Sequence, residues 1–272
     1  MTDLQKIYVK NTSNKINDNV LNAIIGAIKM IIPAFCDSWS IDYPDILAAD
    51  NSTKFGDKDW IFMLVDNDPE GVGEGALAYH SESFSDNIYG YILITEILKN
   101  GGCVINYHDN IISDKNSDKI YSLQEQSNFP QVNSVASALC HEIMETLCDR
   151  TCNIMWTSNR IDRQRRNIIF CAEVCDMVEN NNIYVHKDGL DIALSDYVLP
   201  AWKDQFDRKG PYNYRQTLKE PFMLDKGGYA VIYASDGQTT IFGERKLPPW
   251  KLRGRRLKML GCHQKKEKCL LM

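Results

Sequence analysis

Apolar residues at positions 20, 21, 24, 25, 28, 31 and 32 recur close to the helical period, and the spacing predicts a helix over 17–35 that closes at Pro33. Three short runs rich in β-branched and aromatic residues follow, Trp60 to Val65, Ala76 to His80 and Tyr89 to Thr95, divided by clusters of Asp, Asn, Gly and Pro. These predict sheet strands. Gly71, Gly73 and Gly75 lack the Lys-Ser/Thr of a phosphate loop and precede a strand pattern rather than a helix, so they predict a hairpin turn. From Ser134 the helical pattern returns. Asn133 or Ser134 can cap it, and Ala136, Leu139 or Cys140, Ile143 and Leu147 share one face. Past a polar, Arg-rich stretch at 160–166, shorter units around Ile168 to Glu179, Ile183 to Val185, Tyr197 to Trp202 and Tyr229 to Tyr233 predict a half dominated by strands and turns. The expected class is therefore α+β, a single domain over 1–250 with a sub-boundary near 155–167, followed by a tail at 251–272.

Composition narrows the class without naming a chemistry. With 272 residues, 44% of them hydrophobic and 25% charged, the chain can build a real core. No uninterrupted apolar run reaches about eighteen residues, and Asn22, Gly26 and Lys29 break the most apolar stretch. The N-terminal Met1-Thr2-Asp3-Leu4-Gln5-Lys6 lacks the regions of a secretory signal, so a reducing compartment is expected. The nine cysteines are then thiols, and the sequons at Asn11 and Asn51 lie in turn-rich loops. The net charge of -5 is unevenly spread. Residues 251–272 hold Lys251, Arg253, Arg255, Arg256, Lys258, Lys265, Lys266 and Lys268 against one acid, Glu267, which puts +7 on the tail and −12 on the body. An acidic body with a basic tail implies an anionic surface as partner, and with no recognisable nucleic-acid module a membrane is favoured.

The chemistry concentrates on the second helix. Residues four apart on a helix project from one side, so His141 and Glu145 can offer a nitrogen and a carboxylate to one ion, with Asp149 a turn further. Glu142 occupies the position that an HExxH peptidase uses for its general base, and Glu145 stands where that motif has its second histidine. Carboxylates bind zinc and harder ions alike. A further ligand is expected from Glu173-Val174-Cys175-Asp176, where Glu173 and Asp176 fall in an apolar stretch and buried acids need a partner or an ion. The alternative for these acids is a surface helix end paired with Arg150 and Arg160. His80 in its strand borders the cleft as a catalytic group, or is simply hydrogen-bonded. A competing arrangement uses Cys148, Cys152, Cys171 and Cys175, two CxxxC pairs eighteen residues apart, as a closed thiolate zinc site.

Several segments carry a resemblance. His141-Glu142-Ile143-Met144-Glu145-Thr146-Leu147-Cys148-Asp149, Glu173-Val174-Cys175-Asp176-Met177-Val178-Glu179 and Leu194-Ser195-Asp196-Tyr197-Val198-Leu199-Pro200-Ala201-Trp202 resemble an uncharacterised family of bacteria, phages and large DNA viruses. Ala78-Tyr79-His80, Pro221-Phe222-Met223, Gly227-Gly228-Tyr229, Phe242-Gly243 and Pro249-Trp250 extend the likeness over most of 60–256. The HExxE helix followed by ExxD is also similar to the exordium-like, phosphate-induced proteins of plants. The resemblance implies a common metal-binding core and a zincin-like mixed sheet with an active-site helix. The resembled family ends in an Arg-rich stretch without this chain's last residues, so the tail is an addition, fitting a viral protein that acts on host membranes.

The final Cys269-Leu270-Leu271-Met272 fits a prenylation motif, with the terminal Met favouring farnesyl. Lys265, Lys266 and Lys268 supply the polybasic second signal, and Cys262 is a candidate for palmitoylation. The alternative is an unmodified basic extension. The expected protein is a metal-dependent, peptidase-like hydrolase holding a divalent ion, zinc foremost, and acting on a peptide or protein substrate. A lipid anchor would hold it to a cytoplasmic membrane face of a eukaryotic host cell. The rival is a non-enzymatic, metal-stabilised interaction protein, viral or membrane-associated.

Overall fold

A computed structural model describes residues 4–71, 76–83, 87–106, 118–161 (backbone alone at 159 and 161), 164, 166–235 and 237–243. The chain runs β1 (Lys6–Asn11), α1 (Asp18–Trp39), β2 (Asp45–Ala49), β3 (Trp60–Val65), β4 (Ala78–Glu82), β5 (Ile88–Leu93) and α2 (Ile94–Lys99). It continues through β6 (Lys119–Ile120), α3 (Leu123–Gln126), α4 (Val135–Cys148), β7 (Met155–Ile161) and β8 (Asn167–Cys171). After a 3₁₀ turn at Asp176–Val178 come β9 (Asn182–Lys187), β10 (Leu190–Ser195), α5 (Pro200–Lys203), β11 (Tyr229–Ala234) and β12 (Gly237–Phe242). The architecture is mixed α+β, as expected.

The N-terminal strands form a five-stranded sheet in the order β2-β1-β3-β5-β4. Its first four strands are parallel and β4 is antiparallel to β5, with His80 opposite Gly90. A side chain at residue 90 would run into the Phe62 ring, whose nearest carbon would lie 2.5 Å from the added Cβ, so a glycine lets these strands pack closely. The later strands form two antiparallel sheets, β10-β9-β6 and β12-β11-β8-β7. Helices α1 and α4 join these layers: α1 packs on β1, β2, β9 and β10, and α4 on α1, β4, β5 and β10. Their shared interface is built largely of fully buried aliphatic side chains, among them Ile24, Ile28, Leu139 and Ile143, each stabilising by about 1.5–3 kcal/mol.

The predicted end of the first helix needs correcting. Asn17 caps α1 by accepting from the Val20 amide at 3.0 Å, but Pro33 lies inside the helix, which runs on to Trp39 and closes at Ser40 in the left-handed region. Pro33 is exposed, so the carbonyl it leaves unbonded one turn back can turn to water. Helix α1 is long and apolar enough to cross a membrane by composition, and in this fold 56% of its most apolar window is buried. Two strand expectations also shift. Ile94 and Thr95 begin α2 rather than ending β5, and Tyr197 to Trp202 has one isolated bridge at Val198 before α5. Gly73, Gly75 and the tail at 251–272, with Cys262, Lys265, Lys266, Lys268 and Cys269, lie outside the described residues.

Candidate metal centre

Helix α4 is fixed before it reaches the site. Ser134 and Ser137 close a reciprocal cap, each hydroxyl accepting from the other's amide at 2.9 Å, and the Ser134 hydroxyl donates to the Ala193 carbonyl on β10 at 3.1 Å. The apolar face, with Val135, Leu139 and Ile143, enters the core, and the next face carries His141, Glu142 and Glu145 inward as well. A helix buried on both faces can hold charged groups only where they meet partners.

Those partners are each other. His141 Nε2 lies 3.0 Å from Glu145 Oε1 and 3.3 Å from Asp176 Oδ1. Glu145 is fully buried and also accepts from the Cys175 amide at 3.3 Å. The nitrogen of His141, a Glu145 oxygen and the Cys175 sulfur all fall within 4.8 Å of one another. Burial works against a charge on His141, but Glu145, Asp176 and Glu142 outweigh it and hold its proton affinity well above the ordinary imidazole range. Burial, with Glu145 beside it, pushes the Cys175 thiol up. Without an ion, the carboxylates favour a proton on His141 and burial favours the neutral thiol of Cys175. A divalent cation would take over the charge that the imidazolium supplies, and the nitrogen, oxygen and sulfur donors suit that exchange.

A second group adjoins the first through Glu145: His80, Glu142 and Glu145 also converge within 4.8 Å. His80 is buried on β4, its Nδ1 2.8 Å from Glu142 Oε2. Its Nε2 faces the Cys152 sulfur at 3.1 Å and the Asp149 carbonyl at 3.3 Å. Both ring nitrogens are thus engaged by the protein, with Glu142 the nearest partner.

The remaining expected residues are placed differently. Helix α4 ends at Cys148, and Asp149 is its C-cap, with Oδ2 accepting from the Ile154 amide at 2.6 Å. The other oxygen, Oδ1, is buried with no hydrogen-bond partner among the described residues. Asp176 opens the 3₁₀ turn, and Glu173 is half-buried just before it. Neither converging group includes Glu173 or Asp149. The four cysteines of the competing arrangement do not form a group of their own. Cys175 joins His141 and Glu145 while Cys152 turns to His80. Cys175 is the donor that the motif alone did not single out, and its visible signal was its place between Glu173 and Asp176. Comparison of the chain with protein-family models, with curated proteins and with solved structures finds no match.

Proposed function

We propose that the chain is a zinc-dependent, peptidase-like hydrolase, with His141, Glu145 and Cys175 holding the ion and Asp176 beside them. The observation that carries this reading is the convergence of nitrogen, oxygen and sulfur donors from those three residues within 4.8 Å inside the fold. A thiol and an imidazole in the set favour zinc over magnesium or calcium, which take oxygen donors. A bound zinc ion would supply Lewis acidity at the scissile carbonyl. Glu142 accepts the proton of the attacking water and passes it to the leaving amine, and His80 fixes that carboxylate through Nδ1. The mixed sheet with antiparallel β4 beside α4 supports the zincin-like arrangement that the motif implies. On this reading the substrate is a peptide or protein. Farnesylation of Cys269, palmitoylation of Cys262 and contacts of Lys265, Lys266 and Lys268 with anionic lipid would place the reaction at a cytoplasmic membrane face.

A second reading, an ion that only stabilises the fold of an interaction protein, is favoured by the depth of the site: Glu145 is 0% and Glu142 2% exposed. One variant series separates the two. Purified full-length protein should carry about one equivalent of zinc, lost in His141→Ala and Glu145→Ala. Glu142→Gln should keep zinc and fold while cleavage of a peptide library falls at least ~100-fold. Unchanged cleavage in that variant refutes the role of Glu142. Zinc-loaded protein that cleaves nothing supports the structural ion, and protein free of metal by elemental analysis ends both readings.

A further inference from the structure

The turn that leaves α4 adds a third side chain, Cys152, to the pair of His80 and Glu142 that the metal reading already uses. Asp149 pins this turn. Its carbonyl accepts from the Cys152 amide at 3.2 Å and its carboxylate from the Ile154 amide at 2.6 Å. Cys152 is held in the left-handed region, at φ 52°, where a residue with a Cβ is uncommon. The result is that its sulfur stands 3.1 Å from His80 Nε2, while His80 Nδ1 is 2.8 Å from Glu142. A cysteine by itself would carry no chemistry. A thiol in line with an imidazole whose far nitrogen is fixed by a buried carboxylate has the geometry of an activated nucleophile.

We propose that Cys152 is a nucleophilic thiol and that Cys152, His80 and Glu142 form an acyl-transfer triad, acting on esters or amides with a small apolar acyl group. Nδ1–H donates to Glu142, which leaves Nε2 to accept the thiol proton. As the proton moves to His80, the sulfur bonds to the substrate carbonyl carbon. The bond to the leaving alcohol or amine breaks, and that group departs with the proton from Nε2. The resulting thioester is hydrolysed when His80 takes a proton from water and returns it to the sulfur as the C–S bond breaks, releasing the acid. Between these transfers the protonated Nε2 can donate to the Asp149 carbonyl, 3.3 Å away. Cys152 is partly exposed, and the residues just beyond it, Ile154 and Met155, are 43% and 39% exposed. Their exposed apolar side chains, two and three residues along the chain from Cys152, favour an apolar acyl group. The proposal goes beyond the metal reading and uses neither His141, Glu145 nor Cys175.

The full chain, freed of metal with a chelator, is treated with p-nitrophenyl acetate and its peptides are weighed. An acetyl group on Cys152, removable by hydroxylamine, is expected and should be absent from His80→Gln. In the wild type, Cys152 should react with iodoacetamide at least ~5-fold faster than glutathione at neutral pH, a comparison that needs no variant to fold. Cys152→Ser should abolish acetylation and keep zinc. The triad is overturned by acetyl found only on other residues, by a Cys152 no faster than glutathione, or by acetylation that disappears when metal is stripped. Acetyl found only on other residues, or a Cys152 no faster than glutathione, has no bearing on whether His141 and Glu145 hold zinc.

Discussion

Asp196 sits fully buried next to the core aromatic Tyr197, and its carboxylate collects four donors: the Tyr197 amide at 2.8 Å, Asn213 Nδ2 at 2.7 Å, the Arg215 amide at 3.3 Å and Asn181 Nδ2 at 3.5 Å. Burial outweighs them, together with the charge of Arg215, and pushes the carboxyl up to about 7 from an ordinary value of 3.8. A carboxyl with a raised folded-state value binds its proton more tightly in the native protein than in the unfolded chain. Its contribution is therefore greatest at low pH and falls as pH rises from about 4 to about 7, by on the order of 4 kcal/mol across the window. Asp196→Asn should remove that slope. Urea unfolding of both proteins across the window checks it, and the difference between them isolates the contribution of Asp196. The same scale shows where sequence reading stops. His141 and Glu145 were legible because helical spacing alone puts them side by side, and Asp176 because an acid in an apolar run needs a partner. The contact of His80 with Cys152, across 72 residues, follows from no local period. It depends on β4 reaching α4 and on a left-handed turn at a residue type that rarely signals one.

At the scale of elements, the pattern of apolar positions located β3 to the residue and α4 within one residue of its cap, because each has a run of apolar positions at its own period. It failed where a single residue type was given too much weight. Pro33 did not end α1, since its exposed position lets a missing hydrogen bond go to solvent. Tyr197 to Trp202 has strand-like composition, but its aromatic side chains serve a mixed aromatic core in which Trp202 meets Phe170 and Phe222 at 5.6 and 5.0 Å. Two elements bear on the site and can be tested. Ser134→Ala removes one half of the α4 cap and a bond to β10, and should lower stability by about 1–2 kcal/mol in urea unfolding. Gly90→Ala drives a methyl group into Phe62 behind His80. It should cost about 1–3 kcal/mol and move β4, so the chemical shifts of His80 should change while those of His186 on β9 stay in place.

For the whole molecule, the separation of an acidic body from a basic tail makes location a testable property. If the proposed anchor holds, Cys269→Ser should move the protein from membrane to soluble fraction in eukaryotic cells at physiological salt. Charge removal at Lys265, Lys266 and Lys268 should leave the lipid in place but weaken attachment by about 1 kcal/mol per residue near the surface, most evidently at low salt. Intact mass of the protein from such cells checks the modification directly. The candidate donors have a consequence for folding. His141 and Glu145 come from one helix, whereas Cys175 arrives from a segment 30 residues beyond Glu145. An ion shared between them would act as a reversible staple across two layers of the molecule, closing a loop that no disulfide closes among the described cysteines. Cobalt substituted for zinc would make that staple visible. Its sulfur-to-metal absorption should vanish at the moment α4 parts from the Cys175 segment, so one colour change would time the opening of the interior.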